Sequence, residues 1–316
     1  MARAGFTQGR LAAVTGATGF VGRRLVHALG AAGWRVRVLV RPSGAGLWVN
    51  ADTEVVSGDL DDAAALESLA YGTDVVVHVA GLIKARSRAA FFDVNVEGAR
   101  RMARAVGEGR MVLLSSLAAR APGLSDYAAS KRAGEEAARS VLGERLTVLR
   151  PPAIYGPGDR ETLALFQLAA TAPCLPTPAS AAARLALVHV DDVAAGVLQR
   201  LDGLWSPGVF ALGGARPAGY GWREIFETAA AAMGRRALLA PVPDALIQFA
   251  ASASEFLAGL RGEPAIFTRG KARELLHDDW SVSAAELPPG SPPPSLELRL
   301  GFERTVAWYR QAGWLR

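Results

Sequence analysis

From residue 11 to residue 149, short apolar runs alternate with stretches whose apolar positions recur every three or four residues. Leu11–Thr15, Val36–Val40, Thr53–Val56, Asp74–Val79, Met111–Ser115 and Leu146–Leu149 are rich in Val and Leu and bounded by Gly, Asp or Ser. Runs this short and this apolar predict strands buried on both faces. The stretches between them, 19–32, 62–70, 89–106 and 126–142, carry helical periodicity. Repeated strand–helix units predict an α/β fold with a parallel sheet covered by helices on both sides. After Arg150 the texture changes. Pro151-Pro152, Gly156-Pro157-Gly158 and the stretch 173–178 interrupt the alternation, and the helices predicted at Trp222–Met233 and Asp244–Leu260 have few strands between them. A Pro-rich tract at 287–294 precedes a last helix around Phe302–Ala312. This pattern predicts a sheet domain over 1–154, with 186–202 returning to it, and a smaller C-terminal lobe formed by 155–185 and 203–316.

Composition narrows the class. Half of the 316 residues are hydrophobic and 21% are charged, which excludes a disordered chain. A single cysteine, Cys174, excludes an intramolecular disulfide framework, and four well-separated histidines show no metal-ligand spacing, so no metal is expected. No apolar run reaches eighteen residues. The most apolar stretch, Ala245 to Leu260, is broken by Gln248, Ser252, Ser254 and Glu255 and fits an amphipathic helix better than a membrane span. Met1–Arg10 is short and polar, without the apolar core of a leader, so a soluble cytoplasmic protein is expected. The net charge of +5 invites a nucleic-acid partner, but the basic residues are almost all arginines scattered among acids rather than clustered. No nucleic-acid partner is expected. Only Lys84, Lys131 and Lys271 are lysines.

The first predicted strand runs into Thr15-Gly16-Ala17-Thr18-Gly19-Phe20-Val21-Gly22, where a helix begins. Glycines three apart allow a tight turn, a close backbone approach to a pyrophosphate and close helix–strand packing, while the helix N-terminus favours the anion. The turn lacks the Gly-Lys-Ser/Thr of a nucleotide-triphosphatase loop, so it predicts dinucleotide binding through Gly16, Thr18, Gly19, Phe20, Val21 and Gly22. The end of the second strand bears on which dinucleotide. An acidic residue there holds a ribose 2′-hydroxyl and an arginine a 2′-phosphate. Here Val40 is followed by Arg41 with no acid, which favours NADP over NAD unless Arg41 is simply solvated. Asp59-Leu60, after the third strand, either contacts the adenine or starts the next helix.

Tyr127-Ala-Ala-Ser-Lys131 opens a predicted helix and places phenol and ammonium on one face. A free tyrosine, with a pKa of about 10, is a poor base at neutral pH. A nearby ammonium and an oxidised nicotinamide both favour its phenolate and lower that value. Five tyrosines and three lysines in such a chain produce this spacing by chance on the order of 0.05 times. Ser115-Ser116 closes the fifth strand at its carboxyl end, where open α/β sheets bind ligands. A hydroxyl there either holds a substrate oxygen beside Tyr127 or simply ends the strand. Asn95, after the fourth strand, either holds a proton-relay water or is an ordinary polar helix residue.

Together these motifs resemble the extended short-chain dehydrogenase/reductase superfamily, in its NAD-dependent epimerase/dehydratase branch. The resemblance covers most of the chain: TGATGFVG (15–22), GDL (58–60), HVAG (78–81), NVEG (95–98), LLSS (113–116), YAASK (127–131), RPPAIYGPGD (150–159), VHVDDVA (188–194) and LGFERTVAWYRQAGWL (300–315). It implies a Rossmann-type doubly wound parallel sheet with a smaller substrate-binding lobe, acting on a small molecule. It implies Tyr127 as acid/base, Lys131 as its activator and ribose anchor, and Ser116, the second serine of the pair, as the substrate-orienting hydroxyl. Ala80 and Pro151 would line the cofactor channel, and a homodimer would form through the helices at 89–106 and 126–142.

Two departures bear on activity. Members acting on nucleotide sugars often carry Asn after the Arg-Pro-x stretch, where this chain has Ala153. The interval from Ser116 to Tyr127 is only eleven residues and lacks the Tyr-Gly often found after the serine strand. The leading expectation is therefore an NADP-dependent oxidoreductase acting on a carbonyl or alcohol. The alternatives are a nucleotide-sugar epimerase or dehydratase, and a non-catalytic dinucleotide-binding regulator or assembly subunit. Retention of the Tyr127–Lys131 pair weighs against the last.

Overall fold

The computed structural model describes residues 9–42, 53–180, 182–203, 205–261, 267–290 and 296–315. Residues 1–8, within the N-terminal stretch read above, and residues 291–295 of the Pro-rich tract lie outside them. Seven strands make one sheet: β1 (Leu11–Thr15), β2 (Arg35–Val40), β3 (Thr53–Ser57), β4 (Val75–His78), β5 (Met111–Leu114), β6 (Leu146–Arg150) and β7 (Gly208–Ala211). Their order is β7-β6-β5-β4-β1-β2-β3, and every neighbouring pair is parallel. The order reverses at β1, which lies between β2 and β4. In an open parallel sheet, that switch point opens a crevice at the carboxyl ends of the strands.

The helices are α1 (Phe20–Ala31), α2 (Ala63–Ala70), α3 (Arg88–Phe92), α4 (Gly98–Val106), α5 (Asp126–Leu142), α6 (Leu163–Thr171), α7 (Val190–Asp202), α8 (Trp222–Ala232), α9 (Asp244–Arg261), α10 (Arg269–Leu275) and α11 (Leu298–Gln311). Alternation along the strands divides the core between the two faces of the sheet. Ala12, Val14, Val36, Val38 and Val77 pack with Leu25, Val26 and Leu29 of α1 and with Val193 and Val197 of α7. Ala13, Val76, Leu113 and Val148 face the other way, onto Leu66 and Leu69 of α2, Met102 of α4, and Ala138 and Leu142 of α5. Full burial of a Leu of this kind contributes about 1.5–3 kcal/mol. The outward positions of α5 carry Arg132, Glu136 and Arg139, all exposed.

A third core lies apart from the two faces of the sheet, where Phe166 of α6 meets Phe302 of α11 edge to face at 5.0 Å and Tyr155 meets Phe302 at 5.1 Å. Three features depart from the sequence reading. The edge strand β7 comes from within 203–316, the stretch read there as lobe, and pairs with β6 from Gly208↔Thr147 to Ala211↔Arg150. The predicted 89–106 helix is not one rod. Between α3 and α4 a π-helical turn, Asp93–Glu97, inserts a wider turn. Lastly, Leu175–Pro178 pairs with Leu239–Val242, a ribbon hidden from the sequence reading because Pro176, Pro178 and Pro241 occupy it.

Candidate active site

The glycine turn is clipped to the neighbouring strand by Thr15. Its buried hydroxyl accepts from the amides of Val79 and Ala80, each at 3.2 Å, and lies 2.9 Å from Nδ1 of His78. Gly16, with φ of +70°, follows in the left-handed region, and a Cβ there would sit 2.7 Å from the Ala80 amide. A Cβ at Gly22 would fall 2.0 Å from the Gly16 carbonyl oxygen, so α1 approaches the turn as closely as only glycine permits. Gly19 caps α1 without a side chain, and no acidic residue lies in the first turn. The leading amides of α1, at Phe20, Val21 and Gly22, have no acceptor within the helix and are left for an anion. This cradle fits a dinucleotide pyrophosphate: backbone donors, positive helix end, and no side chain in the way.

The remaining cofactor residues surround that turn unequally. Ala80 sits against Gly16. The Thr18 carbonyl accepts from Nε of Arg23 at 2.8 Å. Pro151 is buried, and its carbonyl accepts from the Leu117 amide at 2.8 Å, joining the end of β6 to the segment after β5. Arg41 is exposed directly after β2. Asp59 accepts from the Asp61 amide at 2.9 Å, whereas Asp62 caps α2 through the Ala65 amide at 3.0 Å. The helix start therefore belongs to Asp62, and Asp59 stays exposed. Leu60 packs toward α4, where a Cβ at Gly98 would meet its Cδ1 at 2.8 Å.

Tyr127 occupies the first turn of α5 and is recessed beside the Phe91 ring at 6.1 Å between centroids. Ser125 caps the helix by accepting from the Ala128 amide at 2.9 Å. Ser116 lies near the phenol and caps the short 3-10 turn Leu117–Arg120, its hydroxyl accepting from the Ala118 amide at 3.2 Å. One helical turn beyond Tyr127, Nζ of Lys131 donates to the Leu114 carbonyl at 2.9 Å, at the end of β5. Asn95, buried in the π-helical turn, donates to the Leu82 carbonyl at 3.0 Å and to the Ser130 hydroxyl at 2.9 Å, and accepts from the Leu82 amide at 2.8 Å. Its amide hydrogens are thus committed to holding the loop after β4 against α5. The nearby Gly81 keeps Asn95 and Lys131 close: a Cβ there would lie 3.0 Å from the Asn95 Oδ1 and 3.7 Å from the Lys131 Nζ. The fold thereby brings Tyr127, Ser116, Lys131 and Asn95 into one place.

Electrostatics differ from the sequence expectation of a lowered tyrosine. Burial pushes the Tyr127 phenol up to about 12, the nearby Ser116 hydroxyl opposes this, and the Glu274 carboxylate adds to the rise. Burial lowers Lys131 to about 8, against the pull of Glu135. In both groups burial is the largest influence and disfavours the charged form.

Several working residues carried no separate signal. Thr15, His78, Glu135, Arg150 and Ser130 lie within or beside the motifs but were given no role, and Glu274 is distant in sequence. Glu135 accepts from Nε of Arg150 at 2.8 Å and also from the Ser115 hydroxyl, in a pair whose side chains are 4% and 14% exposed. Ser115 is thereby committed inside the fold, which leaves Ser116 as the serine beside the phenol. His78 is fully buried, and burial, followed by the charge of Lys131, lowers it to about 3. Between its unfolded value of about 6.5 and that folded value, the unfolded chain binds a proton that the fold refuses. Stability is then lost as pH falls, by at most about 1.4 kcal/mol per unit. Denaturant midpoints measured from pH 7 to 4 should fall less steeply for His78→Gln than for the parent chain; parallel slopes would refute this.

Among the described residues, no group of three or more His, Cys, Asp or Glu could hold a metal ion, and no helix is long and apolar enough to cross a membrane. Residues 12–213 match the NAD dependent epimerase/dehydratase family. The chain is 50% identical over 273 residues to the ceramide reductase of Caulobacter vibrioides (strain NA1000 / CB15N), covering 85% of this chain and 84% of that one. It is 31% identical over 177 residues to the mitochondrial NADH-ubiquinone oxidoreductase 40 kDa subunit of Neurospora crassa, covering 55% of this chain and 45% of that protein. The Thermus thermophilus UDP-glucose 4-epimerase, solved with NAD, superposes with a TM-score of 0.70 at 22% identity, covering 96% of this chain and 99% of that one, a likeness of fold. The turn, the tyrosine–lysine helix and the family match lead to one conclusion: this chain belongs to the NAD dependent epimerase/dehydratase family and is an enzyme built to use a nicotinamide cofactor.

Proposed function

We propose that this enzyme is an NADPH-dependent reductase that converts a carbonyl carried by a ceramide-class lipid into an alcohol. The observation that carries the reading is the placement of the Tyr127 phenol in the first turn of α5, one helical turn before Lys131 and near the Ser116 hydroxyl, where burial favours its protonated form. A neutral phenol is a poor base but a ready donor to an oxygen that becomes negative, as a carbonyl oxygen does when its carbon is reduced. Ser116 orients that oxygen and Tyr127 gives it the proton. Lys131 holds the ribose side of the cofactor and steadies the phenolate left behind. A nicotinamide held there would supply the hydride. Asn95 acts as a positioning residue, fixing the loop after β4 against the helix that bears Tyr127.

The substrate class rests on the 50% identity to a protein named ceramide reductase. Ala153, in place of the asparagine often found in nucleotide-sugar enzymes, favours the same reading. The cofactor preference rests on Arg41, exposed after β2 where a 2′-phosphate would lie. Arg41→Ser should raise the KM for NADPH about tenfold and leave that for NADH within about twofold. A parent enzyme that prefers NADH would overturn the assignment. The test of function is turnover of added NADPH with a panel of ceramide-class carbonyl lipids and nucleotide sugars. Consumption with the lipids alone is expected.

A further inference from the structure

One buried carboxylate reaches the reacting groups from far along the chain. Glu274 lies on α10, is only 8% exposed, and accepts through Oε1 from the Ser125 hydroxyl. Ser125 in turn accepts from the Ala128 amide at 2.9 Å, closing the first turn of α5, where Tyr127 sits. The contact is close. A Cβ at Gly270 of α10 would fall 2.9 Å from the Ser125 Cβ, so a glycine lets the two elements meet. The Glu274 carbonyl accepts from Nε1 of Trp280 at 2.8 Å, and Arg120 donates to the carbonyls of Asp279 and Ser281 at 2.6 and 2.8 Å. The stretch from α10 to Ser281 is therefore fastened to the Ser116–Tyr127 interval at both Arg120 and Ser125.

Stability alone does not account for a carboxylate here. Glu135, buried as deeply, has the Arg150 guanidinium on both oxygens. Glu274 has a hydroxyl on Oε1 and, 3.4 Å from Oε2, the ammonium of Lys271, whose side chain is 64% exposed. A buried charge paired so thinly is costly to desolvate. Its placement suits a task at the phenol instead. A tyrosine in the first turn of a helix feels the positive end of that helix, and Lys131 one turn on adds a positive charge. Both favour the phenolate, so a proton donor there requires a counterweight. Asp126 is exposed and engaged with Arg88 of α3 at 2.8 Å, so its charge is offset and screened by solvent. Glu274 is shielded from solvent, and its charge adds to the effect of burial in holding the phenol neutral.

We propose that Glu274 is a positioning residue for the reduction: its buried carboxylate, bound to the cap of α5, fixes the Tyr127 phenol in place and keeps the proton on it until the substrate oxygen takes it. This rests on the reading of Tyr127 as the proton donor. The test uses the full chain and the variants Glu274→Gln, Glu274→Ala and Tyr127→Phe, each checked by circular dichroism and melting temperature. Absorbance of nucleotide-free protein at alkaline pH, with the Tyr127→Phe trace subtracted, reads the Tyr127 phenolate without any substrate. Glutamine keeps an acceptor for Ser125 and removes the charge. At the highest pH that keeps the fold, Glu274→Gln should therefore show at least about threefold more Tyr127 phenolate than the parent. With NADPH and a ceramide-class carbonyl lipid, Glu274→Ala should lower kcat about tenfold at an unchanged KM for NADPH. Glu274→Gln should recover most of that loss at neutral pH. Equal phenolate in the parent and Glu274→Gln overturns the proposal, and does so even where the alanine variant fails to fold. So does a folded alanine variant that turns over at the parent rate, or a glutamine variant no faster than the alanine one. A parent that reduces no ceramide-class carbonyl removes the substrate reading, and the phenolate titration then decides on Glu274 by itself.

Discussion

Replacing Tyr127 with phenylalanine is expected to lower kcat for carbonyl reduction by about 10²–10⁴, the range set by loss of a positioned proton donor. The ring stays, so its packing near Phe91 and the start of α5 are retained. The glycine turn and Lys131 are untouched, so the affinity for NADPH should stay within about twofold. The effect therefore belongs in kcat and not in cofactor binding, because only the transition state needs the proton. Rapid-quench turnover beside a fluorescence titration of NADPH separates the two. A phenylalanine variant within tenfold of the parent would remove Tyr127 from the chemistry.

The largest expected loss of stability comes from Glu135→Ala. This change strands the Arg150 guanidinium, 14% exposed in its side chain, and takes away the acceptor of the Ser115 hydroxyl. Removing one member of a buried pair costs about 3–5 kcal/mol, since the remaining charge is desolvated without compensation. Chemical denaturation should show that loss as a lower midpoint with an unchanged slope. Adding Arg150→Ala should cost much less than its single effect, because the stranded charge goes with it. Strict additivity would show that the pair does not act as a unit. Glu135 also favours the charged form of Lys131, so the alanine variant should lose NADPH affinity at a lower pH than the parent.

Most of the sheet was legible because buried parallel strands are short apolar runs, as β1, β4, β5 and β6 are; β2 carries Arg35 and Arg37, and β3, with Glu54, is no more than half-buried, yet their valines still mark them. Strand β7 was not legible, since Gly208–Ala211 is an edge strand of four residues, half-buried until Ala211, and so short a run leaves little pattern. The π-helical turn was invisible for a different reason. Helical periodicity continues through 93–97, and the wider turn shows only in the folded chain, where Asn95 meets Leu82 and Ser130. At the site, the glycine turn and the Tyr127–Lys131 spacing are local in sequence and could be read directly. Glu274 reaches Ser125 from 149 residues away, and such a pairing leaves no periodicity to find. The direction of the tyrosine shift was likewise out of reach, because it depends on burial that only the folded chain reveals. In α9 the apolar residues were plain in the sequence, but amphipathicity alone says that one face differs from the other and not which one faces the protein.

The central claim is that this enzyme reduces its substrate with net use of NADPH. Its most direct test is the stoichiometry of nucleotide-free protein given NADPH and a ceramide-class carbonyl lipid. Equal amounts of alcohol formed and NADPH oxidised are predicted, with both abolished in Tyr127→Phe. Protein that instead carries tightly held NAD, consumes no added NADPH and epimerises a nucleotide sugar would contradict the account.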